Sequence, residues 1–103
     1  MFPKKTYKKR LPTKAQRGKF SQKTIAAIIE RDNGMCAVCG SEGQEIHHSC
    51  FKSQGGRGVF TNGILLCRDC HTRAHREFEF AQSLRDEAEE KYGSRYSKDE
   101  YDE

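Results

Sequence analysis

Every histidine and every cysteine of this 103-residue chain falls between Cys36 and His75. The cysteines come first as ligands. Cys36-Ala-Val-Cys39-Gly40 and Cys67-Arg-Asp-Cys70 are two Cys-x-x-Cys pairs with 27 residues between them. Two-residue spacing lets both thiolates of a pair face one ion at about 2.3 Å in a tight turn, and two such pairs complete a tetrahedron. We read them as a structural four-cysteine zinc site, closed to substrate because every coordination position is taken. Cys50, the fifth, reads as a small buried hydrophobe.

The four histidines are woven into this frame. His71 and His75 are four apart, so on a helix they stand about 40° apart and one turn along, able to address one ion or one phosphate. His47 and His48 are adjacent, and on a strand neighbouring side chains diverge, which suits two different jobs. Phosphodiester hydrolysis fits this set. A divalent ion stabilises the leaving oxygen and the phosphate charge, while a neutral imidazole takes the proton of the attacking water. Such a base needs a fixed tautomer, set by a hydrogen bond at its other ring nitrogen. Asn62 is the candidate to lock the loop that supplies that bond.

Taken together, Ile46-His47-His48, Gly55-Gly56, Asn62-Gly-Ile-Leu-Leu-Cys67-Arg-Asp-Cys70-His71 and His75 resemble a zinc-braced HNH endonuclease. The resemblance covers roughly residues 25–76. It implies a ββα-metal (His-Me finger) unit, a small α+β fold, acting as a metal-dependent DNA endonuclease. It implies that His48 is the general base, that His47 and His71 hold the catalytic ion, and that Asn62 is the motif asparagine. His75 would contact the scissile phosphate or the metal. Two positions depart from the pattern: many members carry Asp where His47 stands, and many carry Ile-Pro where Ser49-Cys50 follows. A neutral site favours borderline ions, so Mn²⁺, Ni²⁺ or Zn²⁺ stand beside Mg²⁺ as the catalytic metal. The resemblance also suggests phage packaging or restriction proteins as partners. The rival reading is a catalytically silent zinc ribbon that only binds nucleic acid.

The elements that must position these groups are short. Ser21 caps a helix over 21–33 that carries Ile25, Ile28 and Ile29 on one face and leads into Cys36. Glycines punctuate 36–70, leaving strands at Glu45–Phe51 and Gly63–Cys67. Ala74, Phe78, Ala81, Leu84, Ala88 and Tyr92 then recur every three or four residues, which predicts one long helix from Asp69, its N-cap, to Lys91. We divide the chain into a basic mobile arm (1–20), a nuclease domain (21–93, core motif 36–76) and an acidic, frayed tail (94–103).

Composition sets the limits. With 34 % hydrophobic residues, 33 % charged ones and a mean hydropathy of −0.96, the core is thin and needs a staple such as a metal. No apolar run suits a membrane span or a signal peptide, so the expectation is a soluble cytoplasmic protein of a bacterial or phage-infected cell. Residues 1–20 carry eight Lys and Arg and no acid, whereas 86–103 carry eight acids and three bases. The basic arm suggests a polyanion, and the partner expected is DNA. Lys52, Arg57, Arg73 and Arg76 surround the histidines as candidate phosphate contacts, with Arg68 nearby. Nothing in the sequence reads bases, so binding should be weakly specific and sensitive to salt.

Overall fold

The computed structural model describes residues 12–102. Thr13 opens a one-turn helix, α1 (Lys14–Arg17), through a capping box with Gln16. Ser21 then caps α2 (Gln22–Arg31) by accepting from the Thr24 N–H. On α2, Ile28 is fully buried, whereas Ile29 is largely exposed. The helix is tied to the sheet at its C-terminal end. Arg31 donates to the Phe60 and Gly63 carbonyls, and Asp32 accepts from the Leu65 N–H.

Two antiparallel strands form the sheet: β1 (Glu45–His48) and β2 (Gly63–Leu66), paired Glu45 with Leu66, Ile46 with Leu65, His47 with Ile64 and His48 with Gly63. Both stop one to three residues short of the expected ends. The chain between them makes two 3-10 turns, Lys52–Gln54 and Phe60–Asn62. Gly63 sits where a Cβ would collide with Ile28, so α2 packs directly on the backbone opposite His48.

β2 runs straight into α3 (Arg68–Arg76), and α4 (Phe78–Tyr92) follows after a single extended residue, Glu77. Two helices stand where the apolar period predicts one. The reason is packing. In a continuous helix Ala74 and Leu84 would lie about 15 Å apart along the axis. Here they share one core with Cys36, Leu66 and Cys67, backed by Ile64 and Phe80. Closing that core requires α4 to fold back over α3. The α3 cap also differs from the expected Asp69: the Cys67 side chain accepts from the Cys70 N–H.

Both ends of the described chain are ordered, contrary to the expected mobile arm and frayed tail. Tyr96 is buried beside Cys50 and Ala88. The Arg17 guanidinium makes two bonds to Asp99, at 2.9 and 2.7 Å, and lies 3.0 Å from Asp102. Asp102 also receives two bonds of 3.0 Å from Arg57. Opposite charges from the two ends of the sequence thus hold them to the same loop. Residues 1–11 of the basic arm and Glu103 of the tail lie outside the described residues. Among the described residues, no helix is long and apolar enough to cross a membrane.

Candidate metal centres and active site

The sulfurs of Cys36, Cys39, Cys67 and Cys70 lie within 4.8 Å of one another. The Cys39 and Cys67 sulfurs are 3.7 Å apart. A tetrahedral ion with bonds of about 2.3 Å spaces its sulfurs by about 3.8 Å, so the cluster fits zinc. The fold builds it twice over in the same way. The Cys39 N–H points at the Cys36 sulfur (3.5 Å) and the Cys70 N–H at the Cys67 sulfur (3.4 Å), each thiolate stabilised by the turn it starts. The first turn is pinned to β2 by the Ala37 N–H on the Leu65 carbonyl. The second is the first turn of α3. Burial raises the Cys36 thiol, but backbone N–H groups, that of Cys39 first, outweigh it and hold Cys36 below the ordinary thiol range, whereas burial and the neighbouring sulfurs push Cys70 above it.

The histidines form a second cluster. Ligand nitrogens of His47, His71 and His75 also lie within 4.8 Å of one another. His47 comes from β1, the other two from one face of α3. Both ring nitrogens of His47 are buried and lack a hydrogen-bond partner. Burial, together with His71 and His75, holds its pKa down at about 3, so the ring is neutral and has a lone pair to give. His71 is oriented from behind. Its Nδ1 lies 2.5 Å from the Glu45 carboxylate, which can only accept, so Nδ1 carries the proton and Nε2 the lone pair. That Nε2 faces the His75 Nε2 at 3.2 Å. His75 is stacked on Phe51, with ring centroids 5.0 Å apart. A carboxylate behind a ligating imidazole is the usual arrangement at a metal. His75, the residue that the resemblance gave to either phosphate or metal, stands here with the other two imidazoles.

His48 projects from the other face of β1. Its Nε2 lies 2.6 Å from the Gly18 carbonyl, and its ring packs on Phe20 with centroids 4.3 Å apart. A carbonyl only accepts, so Nε2 bears the proton and Nδ1 is the lone-pair nitrogen. Burial holds its pKa below the ordinary imidazole value, against an upward pull from the Gly18 carbonyl. His47, His48, His71 and His75 all border one cavity of about 360 Å³, with Phe51 and Lys52 on its rim. That is room for an ion and a phosphate group.

Asn62 is fully buried. Its Oδ1 accepts from the Cys50 N–H, and its Nδ2 donates to the Cys50 and Arg57 carbonyls. It therefore clamps the loop between the strands shut. Its side chain makes no hydrogen bond to His48, and the carbonyl on the His48 ring belongs to Gly18, outside that loop. Gly56 lies so close beneath this clamp that a Cβ would strike the Cys50 carbonyl.

Residues 36–77 match the family model of the HNH endonuclease. Here that segment carries an antiparallel ββ pair, a following helix, four clustered thiols and the histidine cavity. Residues 36–77 are an HNH-type segment. A search of curated proteins finds no match to the chain. The HNH domain has the ββα-metal fold, with its cysteine cluster built for metal.

Of the candidate phosphate contacts around the HNH domain, Lys52 and Arg76 are exposed. Arg73 is half-exposed, shared between Glu77 (2.9 Å) and the face of Phe80. Arg57 departs from its expected role: Asp102 occupies its fork, and its side chain is only 12 % exposed. The sequence reading missed Glu45, Gly18 and Phe51. Glu45 alone had a visible signal, since it lies two residues before His47 and shares its face of the strand.

Proposed function

We propose that this chain is a metal-dependent endonuclease that hydrolyses DNA phosphodiester bonds with weak sequence preference. The reading rests on His47: a fully buried imidazole with two unpartnered nitrogens, set against two more imidazoles, needs a ligand. A buried polar group without a partner costs about 1–3 kcal/mol, which an ion at the three nitrogens would remove. A divalent ion held by His47, His71 and His75 would supply charge stabilisation to the phosphate and its leaving oxygen. The three neutral donors favour Mn²⁺, Ni²⁺ or Zn²⁺ over Mg²⁺. A separate zinc ion at the four cysteines would hold the fold.

The protein's own groups do the rest. Nδ1 of His48 accepts the proton of the attacking water, its ring turned and kept neutral by Gly18, Phe20 and burial. Glu45 keeps His71 in the ligating tautomer. Lys52, Arg73 and Arg76 neutralise backbone phosphates around the cavity, and residues 1–11, with five Lys and Arg, add charge that does not depend on sequence. Packaging or restriction proteins remain the partners that the family resemblance suggests.

The deciding experiment is plasmid nicking by zinc-loaded protein with added Mg²⁺, Mn²⁺ or Ni²⁺, set beside His48→Ala and His47→Ala. Cleavage should require the added ion and fail in both variants. Unchanged cleavage in both would sink the roles given to these histidines, and no cleavage by the wild type with any ion would leave a silent zinc ribbon that binds nucleic acid.

A further inference from the structure

The matched HNH segment begins at Cys36, yet the group that fixes the His48 tautomer is a carbonyl of Gly18. Gly18 follows a helix of only four residues, too short to be stable alone. Something else must hold its carbonyl in place.

Three contacts do so. The Gly58 N–H donates to the Arg17 carbonyl at 2.7 Å, joining α1 to the loop that Asn62 clamps. A Cβ at Gly58 would collide with the Lys19 carbonyl, so loop and N-terminal segment meet backbone to backbone. On the side-chain level, Arg17 is gripped by Asp99 and Asp102, and Asp102 grips Arg57 of the same loop. The Arg57 N–H, in turn, donates to the Ser97 carbonyl at 3.0 Å. The four charged side chains are 12–17 % exposed. At such burial, two-pronged guanidinium–carboxylate pairs impose geometry as well as attraction.

We propose that Arg17, Arg57, Asp99 and Asp102 form a clasp that positions the general base, holding the Gly18 carbonyl on His48 Nε2 so that Nδ1 keeps its lone pair. Segments from both ends of the chain thus complete a site whose reacting groups all lie in the HNH domain. The clasp residues touch neither substrate nor metal and act only through Gly18. The proposal rests on His48 being the base.

The test uses the full chain, zinc-loaded, with Mg²⁺ present and the histidine rings labelled with ¹⁵N. In the wild type the neutral His48 ring should give the shifts of a pure Nε2–H tautomer. Arg17→Gln should give a mixture of tautomers. Its kcat should fall about tenfold to a hundredfold, within what general-base catalysis supplies, with KM for DNA and affinity for Mg²⁺ unchanged. Arg17→Lys keeps the charge but loses the fork, so it should fall between the two. It also carries the test if the glutamine variant fails to fold.

A pure Nε2–H tautomer in the variants overturns the clasp, whatever their activity. So does a tautomer mixture with wild-type kcat. His48→Ala separates the two ideas: wild-type cleavage by that variant removes the base reading, whereas the ring shifts in Arg17→Gln still decide whether the clasp sets the tautomer.

Discussion

His47 and His48 are neighbours with opposite surroundings, and their variants should fail in opposite ways. His48→Ala should still bind the divalent ion and DNA while its rate falls by about 10² to 10⁴. His47→Ala should lose ion affinity and recover partly as ion concentration rises. His47→Asp should keep activity and move preference towards Mg²⁺, because a carboxylate is a harder donor. Isothermal titration of the ion, alongside single-turnover cleavage, separates these outcomes. The pH profile adds a sign. On the proposed mechanism the active form of His48 is neutral, and burial holds its pKa below the ordinary value of about 6.5. Protonation therefore removes the base on the acid side, and the acid limb of the wild-type rate should centre below pH 6.5. An acid limb centred above pH 6.5 would contradict a buried base.

Among the elements, the loop between β1 and β2 depends most on one side chain. Asn62→Ala leaves the Cys50 N–H and the Cys50 and Arg57 carbonyls without their partner, two of these three bonds being fully buried. At about 1–3 kcal/mol for each unsatisfied group, stability should drop by about 3 kcal/mol or more, read by urea unfolding at saturating zinc. A loss under about 1 kcal/mol would mean that water replaces the amide. The elements differ in how legible they were. The two strands, the Ser21 cap and the paired cysteines could be read directly, since alternation, capping chemistry and ligand spacing are local. The break at Glu77 could not: its own residues favour helix, and it is imposed by Ala74 and Leu84 meeting in a core that only the folded chain creates. The ordering of residues 12–20 and 94–102 was hidden for the same reason. A run of like charge reads as solvated until its opposite, 82 residues away in the case of Arg17 and Asp99, is brought alongside.

For the molecule as a whole, the two ends of the chain carry distinct loads. Removing residues 1–11 should weaken DNA binding and lower the log–log salt slope by up to about 4.5 if all five cations meet phosphates, with the chemical step intact. Removing 1–20 should slow that step as well, because Gly18 goes with it. Equal rates for the two truncations would argue against any role for the second segment. On the proposed zinc site, Cys36→Ser should unfold the domain, seen as lost helical circular dichroism, while Cys50→Ser should be tolerated. One feature of α3 reaches further. Within its nine residues and cap it carries Cys67 and Cys70 for one cluster and His71 and His75 for the other, with Cys70 and His71 adjacent. If both clusters take the proposed ions, a helix shared so closely would link them thermodynamically. Each would then change the other's affinity by the same factor, upward where both favour the same placement of α3. Saturating Ni²⁺ at the histidines should therefore slow the release of zinc to a chelator, and His71→Ala should abolish that protection. On this coupling, whatever strips one ion would loosen the protein's grip on the other by the same factor.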